Sequence, residues 1–368
     1  MKKLLLTITK LTFSLALLFF VYLLWIAGAG TYYDYQPVET IALEARKEAP
    51  LKLIEDSTLS FLIWNMGYGG LGKESDFFYD DGGFFSAGDK MVRSKEEWVN
   101  KNIQGANDFI AKTPADFYLL QEVDVESKRS YFNNQLAGYE KQRPNYASFF
   151  AQNYVVDRVP IPIFEPWQVY GKVNSGLGTL SRFQPKESTR FQLPGKFEWP
   201  TRIFQLDRCL AVHRYAVKNG KEFVVFNLHN SAYDSGGFLK KQQMKYLQKK
   251  VQKEYKKGNY IIVGGDWNQC PPDFKFDAFM PGDSEGYAQT NIAKDYLPAD
   301  WQWVYDPQIP TNRKTSAPYV TGESFVTLID FFLVSPNLKV KKVQGYDLGF
   351  DFSDHQPVRI EVELRPSL

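Results

Sequence analysis

A chain of 368 residues, 44% of them apolar, is long enough for one large α/β domain with an appendage and too long for a single small domain. Its formal charge is only +2, and the first thirty residues hold Lys2, Lys3 and Lys10 but no acidic residue. The remainder carries 41 basic and 42 acidic residues, which excludes a protein that coats nucleic acid through its overall charge but leaves a local basic patch open.

The N-terminal segment, residues 1–30, differs from the rest of the chain. After a basic start, the uncharged run from Leu11 to Gly30 is long enough to cross a bilayer as a helix. Basic residues before such a run predict a cytoplasmic N-terminus and an exported body. The alternative is a cleaved signal peptide, with Ala27-Gly28-Ala29 as the cleavage site. Because the run exceeds the usual signal core of about 7–15 residues, we favour an uncleaved anchor.

Residues 31–56 are polar, contain two prolines and predict a linker to a globular domain of residues 57–368. Two long stretches in that domain lack a clear periodic pattern. Residues 67–89 are rich in Gly and Phe, and no role follows from their sequence. Residues 131–175 are rich in Pro and aromatic residues and predict a functional surface loop.

The remaining sequence of the domain alternates between strand and helix patterns. In chain order these predict a strand at 59–65, a helix at 96–110, a strand at 116–122, a hairpin of 204–217 and 222–229, a helix at 238–255, and strands at 260–265, 324–334 and 358–364. The Asn219-Gly220 pair supplies the turn of the hairpin. Strands interleaved with both helices and hairpins predict a mixed α/β sandwich rather than a purely parallel sheet.

Two cysteines, Cys209 and Cys270, do not have the spacing of a thiolate metal site. They form either one disulfide, in an oxidising compartment, or two buried thiols, which is the default expectation. Aromatic residues make up 16% of the chain. This abundance fits either a core rich in rings or a groove lined by them.

Polar side chains recur where the predicted apolar strands end. They are Asn65, Glu122, His229 with Asn230, Asp266 with Asn268, Asp330, and Asp354 with His355. A carboxylate within an apolar run is costly unless it is paired or bound to a metal, and oxygen ligands of this kind suit Mg²⁺, Mn²⁺ or Ca²⁺. Two histidines nearby can transfer protons and stabilise charge. The set therefore indicates metal-assisted hydrolysis of a phosphate ester.

Five short motifs occur in a specific order, with His229 between the second and the third. They are Trp64-Asn65, Gln121-Glu122-Val123, Gly265-Asp266-Trp267-Asn268, Ile329-Asp330-Phe331 and Ser353-Asp354-His355. Each is weak alone, but together they resemble the signatures of the endonuclease/exonuclease/phosphatase superfamily over residues 57–366. The resemblance implies a DNase I-like fold. This is a four-layer α/β sandwich in which two packed mixed β-sheets are flanked by helices, here preceded by a transmembrane helix.

The resemblance also implies a metal site and a general base. Glu122 would be the principal metal ligand, supported by Asn65 and Asp354. Asp330 would orient His355, which would act as general base on the attacking water. Asp330 could instead be a structural ion-pair partner, and Asn65 could simply turn the chain.

The other implied roles concern the nucleophile and the phosphate. Asp266 would position the nucleophile, and Asn268 would hydrogen-bond a phosphate oxygen. His229 would stabilise the developing charge or protonate the leaving oxygen. The structural alternative for His229 is a half-buried histidine at a strand end.

Three further residues are candidates for substrate binding. Asn174 and Arg182 flank a stretch that resembles the family strand before the central hairpin, although Arg182 equally fits an ordinary solvated base. Asn230 follows His229, where the family commonly has Leu or Thr, and would lie near whatever sets specificity. His213 matches no motif, and we expect it to be structural.

These observations predict a membrane-anchored, extracytoplasmic phosphodiester hydrolase that uses Mg²⁺, with Mn²⁺ or Ca²⁺ as alternatives. A lipid-headgroup diester, as in a sphingomyelinase-like enzyme, is the preferred substrate class, and we predict no protein partner. The domain would be secreted if residues 1–30 were cleaved. Alternatives are a phosphomonoesterase, a catalytically silent membrane-tethered binding module and a DNase I-like endonuclease. A nuclease would need a basic groove, for which the sequence offers Arg182, Lys186, Arg190, Lys196, Arg202, Arg208 and Arg214.

Overall fold

Two β-sheets packed face to face form the centre of the domain. The computed structural model describes residues 1–232, 234, 236–275, 278–279 and 290–365. Its α-helices are α1 Lys2–Tyr32, α2 Glu96–Lys112, α3 Gln135–Gln142 and α4 Phe238–Lys256. Its strands are β1 Thr40–Ala42, β2 Leu53–Ile54, β3 Thr58–Asn65, β4 Phe117–Asp124, β5 Ala147–Val159, β6 Gly171–Ser181, β7 Glu187–Gln192, β8 Cys209–Val217, β9 Glu222–His229, β10 Tyr260–Asp266, β11 Gln302–Val304, β12 Asn312–Arg313, β13 Val326–Thr327, β14 Asp330–Val334, β15 Leu338–Gly345 and β16 Val358–Leu364.

Both sheets combine parallel and antiparallel pairs. The first has the order β1-β7-β8-β9-β10-β14-β11, with β2 beside β8, and the second has the order β15-β16-β3-β4-β6-β5. Strands β9 and β10 are parallel, as are β3 and β4, whereas β10 and β14 are antiparallel. The mixed character predicted from the sequence is therefore confirmed.

Alternating burial along the strands builds the four layers. On β10, Ile262 faces the other sheet, whereas Ile261 and Val263 face α4. Rings from both sheets meet in the centre, where the Phe61 centroid lies 4.5 Å from that of Phe117 and 5.6 Å from that of Phe223. Because a strand reverses its side chains at every residue, one apolar strand serves both the inner core and the outer helix.

The outer helices follow from amphipathic patterns. Helix α2 buries Val99, Ala106 and Ile110 on one face, and carries acidic residues in its first turn and Lys112 in its last, as the helix dipole favours. It packs on the second sheet, while α4 packs on the first. The expected four-layer α/β sandwich is confirmed.

Helix α1 is a single apolar helix of 31 residues with a mean hydropathy of 2.2 in its most apolar window, of which only 6% is buried. It is therefore long and apolar enough to cross a membrane. It touches the domain from its middle to its end, where the ring of Phe19 lies 5.7 Å from that of Phe164 and the Thr31 hydroxyl accepts a hydrogen bond from the Trp199 indole. The following residues, predicted as a linker at 31–56, contribute β1 and β2 to the first sheet.

The predicted loop at residues 131–175 is largely ordered structure, which corrects that expectation. Helix α3 begins after Asn134, whose side chain accepts a hydrogen bond from the Ala137 N–H at 3.0 Å. Edge strand β5 then pairs with β6, and only residues 160–170 remain between them. The strand was missed because its buried and exposed positions do not alternate regularly, and its register shifts near Asn153.

Candidate active site

Three neighbouring strands of the first sheet end in one polar row. Asp266 pairs with His229 across β10 and β9, and with Asp330 across β10 and β14. The His229 Nε2 atom lies 3.3 Å from Oδ2 of Asp266. The spacing of these groups is set by the sheet ladder itself.

Gly265 has a positive φ of 143°, and a Cβ there would lie 2.0 Å from the Leu228 carbonyl oxygen. This close approach requires glycine immediately before Asp266. On the other side of Asp266, the buried indole of Trp267 donates a hydrogen bond of 2.9 Å to the Phe331 carbonyl and stacks on the Phe331 ring. The motif thus fixes Asp266 by backbone geometry on one side and by packing on the other.

The side chains of His355 and Asp330 are joined by a buried hydrogen bond. Nδ1 of His355 lies 2.8 Å from Oδ2 of Asp330, and Nε2 lies 3.1 Å from Nδ2 of Asn312. The Trp64 indole donates to the His355 carbonyl at 2.9 Å, which holds the loop. With a proton on Nδ1 facing Asp330, the Nε2 lone pair faces Asn312 and the cleft.

The second sheet contributes Asn65 and Glu122 from β3 and β4. The Asn65 amide donates to Asp266 Oδ2 at 3.0 Å and lies 3.4 Å from Glu122 Oε1. Glu122 has a positive φ of 51° and lies at a register shift between β4 and β6. Such a bulge re-aims one side chain, and the Glu122 side chain here lines the cleft.

Asp354 lies beside a residue that must be glycine. Gly67 has a φ of +46°, and a Cβ there would lie 2.6 Å from Oδ1 of Asp354. Ser353 donates to the Asn65 carbonyl at 2.7 Å, which ties this loop to β3. Asp354 Oδ2 lies 3.9 Å from His355 Nε2.

Burial and crowded negative charge shift the pKa values of this site. Burial and the charge of Asp330 raise the pKa of Asp266 to about 6. Burial and Glu122 raise the pKa of Asp354 to about 7. Burial alone would lower the pKa of His355, but the carboxylates of Asp330, Asp354 and Asp266 raise it well above its usual range. The site therefore binds protons more strongly than isolated side chains would.

His229 shifts in the opposite direction. Burial, the charge of Arg208 and the charge of His355 together lower its pKa well below the usual value. Its Nδ1 atom is buried without a hydrogen-bond partner. The site thus combines a neutral imidazole with one that favours protonation.

Asn268 is held at the edge of the cleft by its own backbone and by its neighbours. It has a positive φ of 49°, its N–H donates to Asp266 Oδ1 at 2.9 Å, and its amide donates to the Asn230 carbonyl at 3.0 Å. The side chain of Asn230 itself turns away and donates to Met244 Sδ at 3.3 Å. Asn230 therefore reaches the site through its carbonyl group.

The structure does not bring Asn174 or Arg182 to this cleft. The Asn174 side chain accepts a hydrogen bond from Gln152 at 2.9 Å, on the strand face opposite to Ser175, which lines the cleft. Arg182 lies at the other end of β4, where it pairs with Asp56 at 2.7 Å and Asp116 at 2.6 Å. His213 is buried away from the site, with its ring against Phe149 and Nδ1 2.8 Å from the Ser188 hydroxyl.

The cleft has a volume of about 1620 Å³ and contains residues outside the five motifs, of which Arg208 was a candidate only for a basic groove and Asn153 and Lys240 were not indicated. Asn153 lies at the β5 bulge, and its buried Nδ2 has no hydrogen-bond partner. Arg208 lines the same cleft, and Lys240 donates to the Asn268 carbonyl at 3.4 Å. None of these residues belongs to a motif. They can be recognised only from the folded structure, which brings them to the cleft from distant parts of the sequence. Cys209 and Cys270 are buried thiols and form no disulfide with each other, which agrees with the default expectation from their spacing.

Several of these groups could hold a divalent cation. Asp266, Asp330 and His355 each offer a ligand atom, all within 4.8 Å of one another. Glu122 and Asp354 lie nearer the open cleft, and within the described residues their only ion-pair contacts are to imidazoles, both at 3.9 Å. Crowded carboxylates without a matching cationic side chain are what a hard divalent cation requires.

Residues 64–355 match the model of a family described as the endonuclease/exonuclease/phosphatase family. Among solved structures, an endonuclease/exonuclease/phosphatase from Beutenbergia cavernae is 18% identical with a TM-score of 0.56, over 84% of this chain and 72% of that one. TDP2 from D. rerio, complexed with single strand DNA product, is 14% identical with a TM-score of 0.50, over 84% of this chain and 100% of that one. No curated protein matches the sequence. At these identities the structural likeness shows the fold alone.

Proposed function

Because this chain belongs to the endonuclease/exonuclease/phosphatase family and is a phosphoesterase-type hydrolase, we propose that it is a divalent-metal-dependent phosphodiesterase anchored to a membrane. Its preferred substrate is a lipid-headgroup diester. The observation that supports the chemistry most directly is the hydrogen bond between Asn65 and Asp266, at 3.0 Å. It joins the polar ends of the two sheets, so the carboxylates and both histidines face one cleft.

Each residue of the site has a separate role in the proposed hydrolysis. His355, held by Asp330, takes the proton of the attacking water at Nε2 in its neutral form, and Asp266 positions that water. The neutral form requires positive charge beside the carboxylates that raise the pKa of His355. Asn268 donates a hydrogen bond to a phosphoryl oxygen. His229, on the Asp266 side, stabilises charge on the leaving oxygen. Its low pKa means that it does so as a neutral donor unless negative charge from the substrate raises that pKa.

The residues present fit a divalent cation. We assign Glu122, Asn65 and Asp354 as its ligands. The alternative group is Asp266, Asp330 and His355. We do not favour it, because Asp330 and His355 already share a hydrogen bond of 2.8 Å. Such a cation supplies positive charge that offsets charge on the phosphoryl oxygens and around His355. Magnesium is the first choice, since the ligand set consists of oxygens alone.

The proposed anchorage and location are supported by α1. A helix of this length and hydropathy, with Lys2 and Lys3 before it, favours a single pass with the catalytic domain outside the cytoplasm. If residues 1–30 were removed, the same domain would be secreted. A membrane-anchored hydrolase meets its substrate most readily when that substrate is a lipid.

An endonuclease is the second candidate. The D. rerio TDP2 structure carries a single strand DNA product, and nucleic acid requires a basic groove. Of the seven basic residues between 182 and 214, Arg208 alone lines the described cleft, whereas Arg182 and Arg214 pair with acidic residues elsewhere. Lys240, Lys241 and Lys245 from α4 line it as well. Arg129, Arg313 and Lys314 line it too, but Arg129 pairs with Asp124 at 2.9 Å and Arg313 donates to the Gly72 carbonyl at 2.7 Å, so both guanidinium groups are engaged within the domain.

The test is a comparison of substrates on the purified full chain. Sphingomyelin vesicles, plasmid DNA, inositol phosphates and bis(p-nitrophenyl) phosphate are incubated with Mg²⁺, with Mn²⁺ or with EDTA. We expect Mg²⁺-dependent release of phosphocholine and hydrolysis of the soluble diester. Faster turnover of plasmid DNA would favour the nuclease, and hydrolysis unaffected by EDTA would contradict the metal mechanism.

A further inference from the structure

We propose that an aromatic rim at the cleft mouth docks into the interface of a lipid bilayer, so that the active site faces the membrane surface. The aromatic rim consists of Phe84, Phe85, Phe164 and Trp167. The inference rests on the proposed anchorage through α1, and it adds a second, separate contact between the domain and the membrane.

The rim side chains are unusually exposed for aromatic residues. Phe85, Phe164 and Trp167 have 56%, 53% and 75% of their surface accessible. Phe84 also lines the cleft. A cluster of exposed rings next to a cleft marks an interaction surface. Trp is enriched at the membrane–water interface, and Phe and Trp are common on the apolar face of helices that bind there.

Two segments hold these rings in place before any partner arrives. The N–H of Ile163 donates to the Phe84 carbonyl at 3.2 Å, and the N–H of Phe164 donates to the Phe85 carbonyl at 2.9 Å. The rings of Phe85 and Phe164 stack with their centroids 5.3 Å apart. Because the surface is already ordered, docking would cost little conformational entropy.

The rim is continuous with α1, which identifies its partner. Phe164 contacts Phe19 of α1, and the Trp199 indole donates to the Thr31 hydroxyl at 3.0 Å. A helix of 31 residues is about 46 Å long, whereas a hydrocarbon core is about 30 Å thick. If Lys2 and Lys3 mark the inner edge of the hydrocarbon, Phe19, about 20 Å from the outer end of α1, lies about 26 Å from that inner edge. Phe164 contacts Phe19 and therefore lies about 4 Å inside the outer boundary of the hydrocarbon. That depth is slightly less than the roughly 5–10 Å to which the apolar face of an interfacial helix is buried, as expected for side chains at the boundary of the hydrocarbon.

Basic residues that line the cleft also suit a membrane. Lys241 and Lys245 of α4 are exposed and line the cleft. Basic side chains near a bilayer are attracted to anionic lipid headgroups. The exposed rings and the basic residues together favour a bilayer over a soluble protein partner. A bilayer offers hydrocarbon to α1 and the rings, and anionic headgroups to the lysines.

Labels at single introduced cysteines test the proposal in the full chain. Cys209 and Cys270 are both buried and should not react. An environment-sensitive fluorophore is attached at F85C, F164C or W167C, and the protein is placed in nanodiscs of phosphatidylcholine and phosphatidylglycerol that contain a lipid-bound quencher. L18C reports on α1. L51C, an exposed apolar position (42%) beside β2 and far from the site, is the matched control.

We expect quenching at the three rim positions several-fold above that at L51C, together with strong quenching at L18C. Quenching at L18C with rim labels as aqueous as L51C would overturn the docking while leaving the anchor. An aqueous L18C label would instead contradict the proposed anchorage. Rim protection that appears only at high protein density, and without lipid quenching, would show a second copy of the chain and would also overturn the proposal.

Discussion

Nδ1 of His355 lies 2.8 Å from Oδ2 of Asp330, although the two residues come from different loop and strand segments and are both buried. A carboxylate in this position fixes the tautomer and raises the pKa of the imidazole. The proposed role of His355 as a base therefore depends on Asp330.

Substitution D330N tests this dependence. Asparagine keeps the shape but removes the charge, so we expect kcat/KM for the soluble diester to fall by about 10²–10⁴. The pKa of His355 should fall, and with it the pKa on the acidic limb of the pH–rate profile. H213Q is the control, since it alters a buried histidine remote from the site. An unchanged profile in D330N would remove Asp330 from the mechanism.

Loss of the Glu122 carboxylate should weaken cation binding. E122Q keeps the shape and removes the charge, so Mg²⁺ or Mn²⁺ affinity measured by calorimetry should fall by at least about tenfold, and activity should fall by orders of magnitude. E126Q is the matched control, because Glu126 lies four residues away, is exposed, and pairs only with Lys172 at 2.8 Å among the described contacts. Equal cation affinity in the two variants would contradict the ligand assignment.

Replacing Gly67 with alanine should harm activity more than stability. The new Cβ would lie 2.6 Å from Oδ1 of Asp354 and push that carboxylate. G82A is the control, because Gly82 also has a positive φ, of +80°, but open space around it. We expect a similar backbone penalty of about 1 kcal/mol in both, measured by denaturant unfolding. Only G67A should also lose activity, and equal activities would show that Asp354 is not confined at this point.

The buried His213 should make the fold sensitive to acid. Burial lowers its pKa to about 3, whereas the unfolded chain has the ordinary value of 6.5. Between these values the unfolded state binds a proton that the folded state does not, so this residue removes up to about 1.4 kcal/mol of stability per pH unit as the pH falls from 6.5. In H213Q the free energy of unfolding should depend less steeply on pH between 4 and 6.5. Parallel curves for both proteins would contradict this source of acid sensitivity.

Much of the fold was predictable because its strongest signals are local. The predicted strand at 358–364 coincides with β16, and the predicted helix at 96–110 lies within α2. Each carries a clear periodic pattern along its own sequence. The strand predicted at 324–334 divides into β13 and β14 around Leu328, because β13 pairs with β12 and β14 with β10. Such a change of partner leaves no mark in hydropathy.

The site was predictable only where a motif marks the end of a strand. Asn174 is adjacent to Ser175, which lines the cleft, and a step of one residue along a strand reverses the face that a side chain occupies. Arg182 belongs to the same strand segment but to its opposite end. Asn312, Arg208 and Asn153 reach the cleft from three separate segments. Their contribution depends on tertiary contacts that no local pattern encodes.

The hydrogen bond of 3.0 Å from Asn65 to Asp266 has a consequence for how the protein fails under stress. It crosses from one sheet to the other, so the reactive constellation exists only while both halves of the sandwich are assembled. Partial unfolding of either sheet would therefore separate the catalytic residues. Thermal inactivation and cooperative unfolding should therefore share one midpoint, which makes catalysis a direct reporter of the intact molecule.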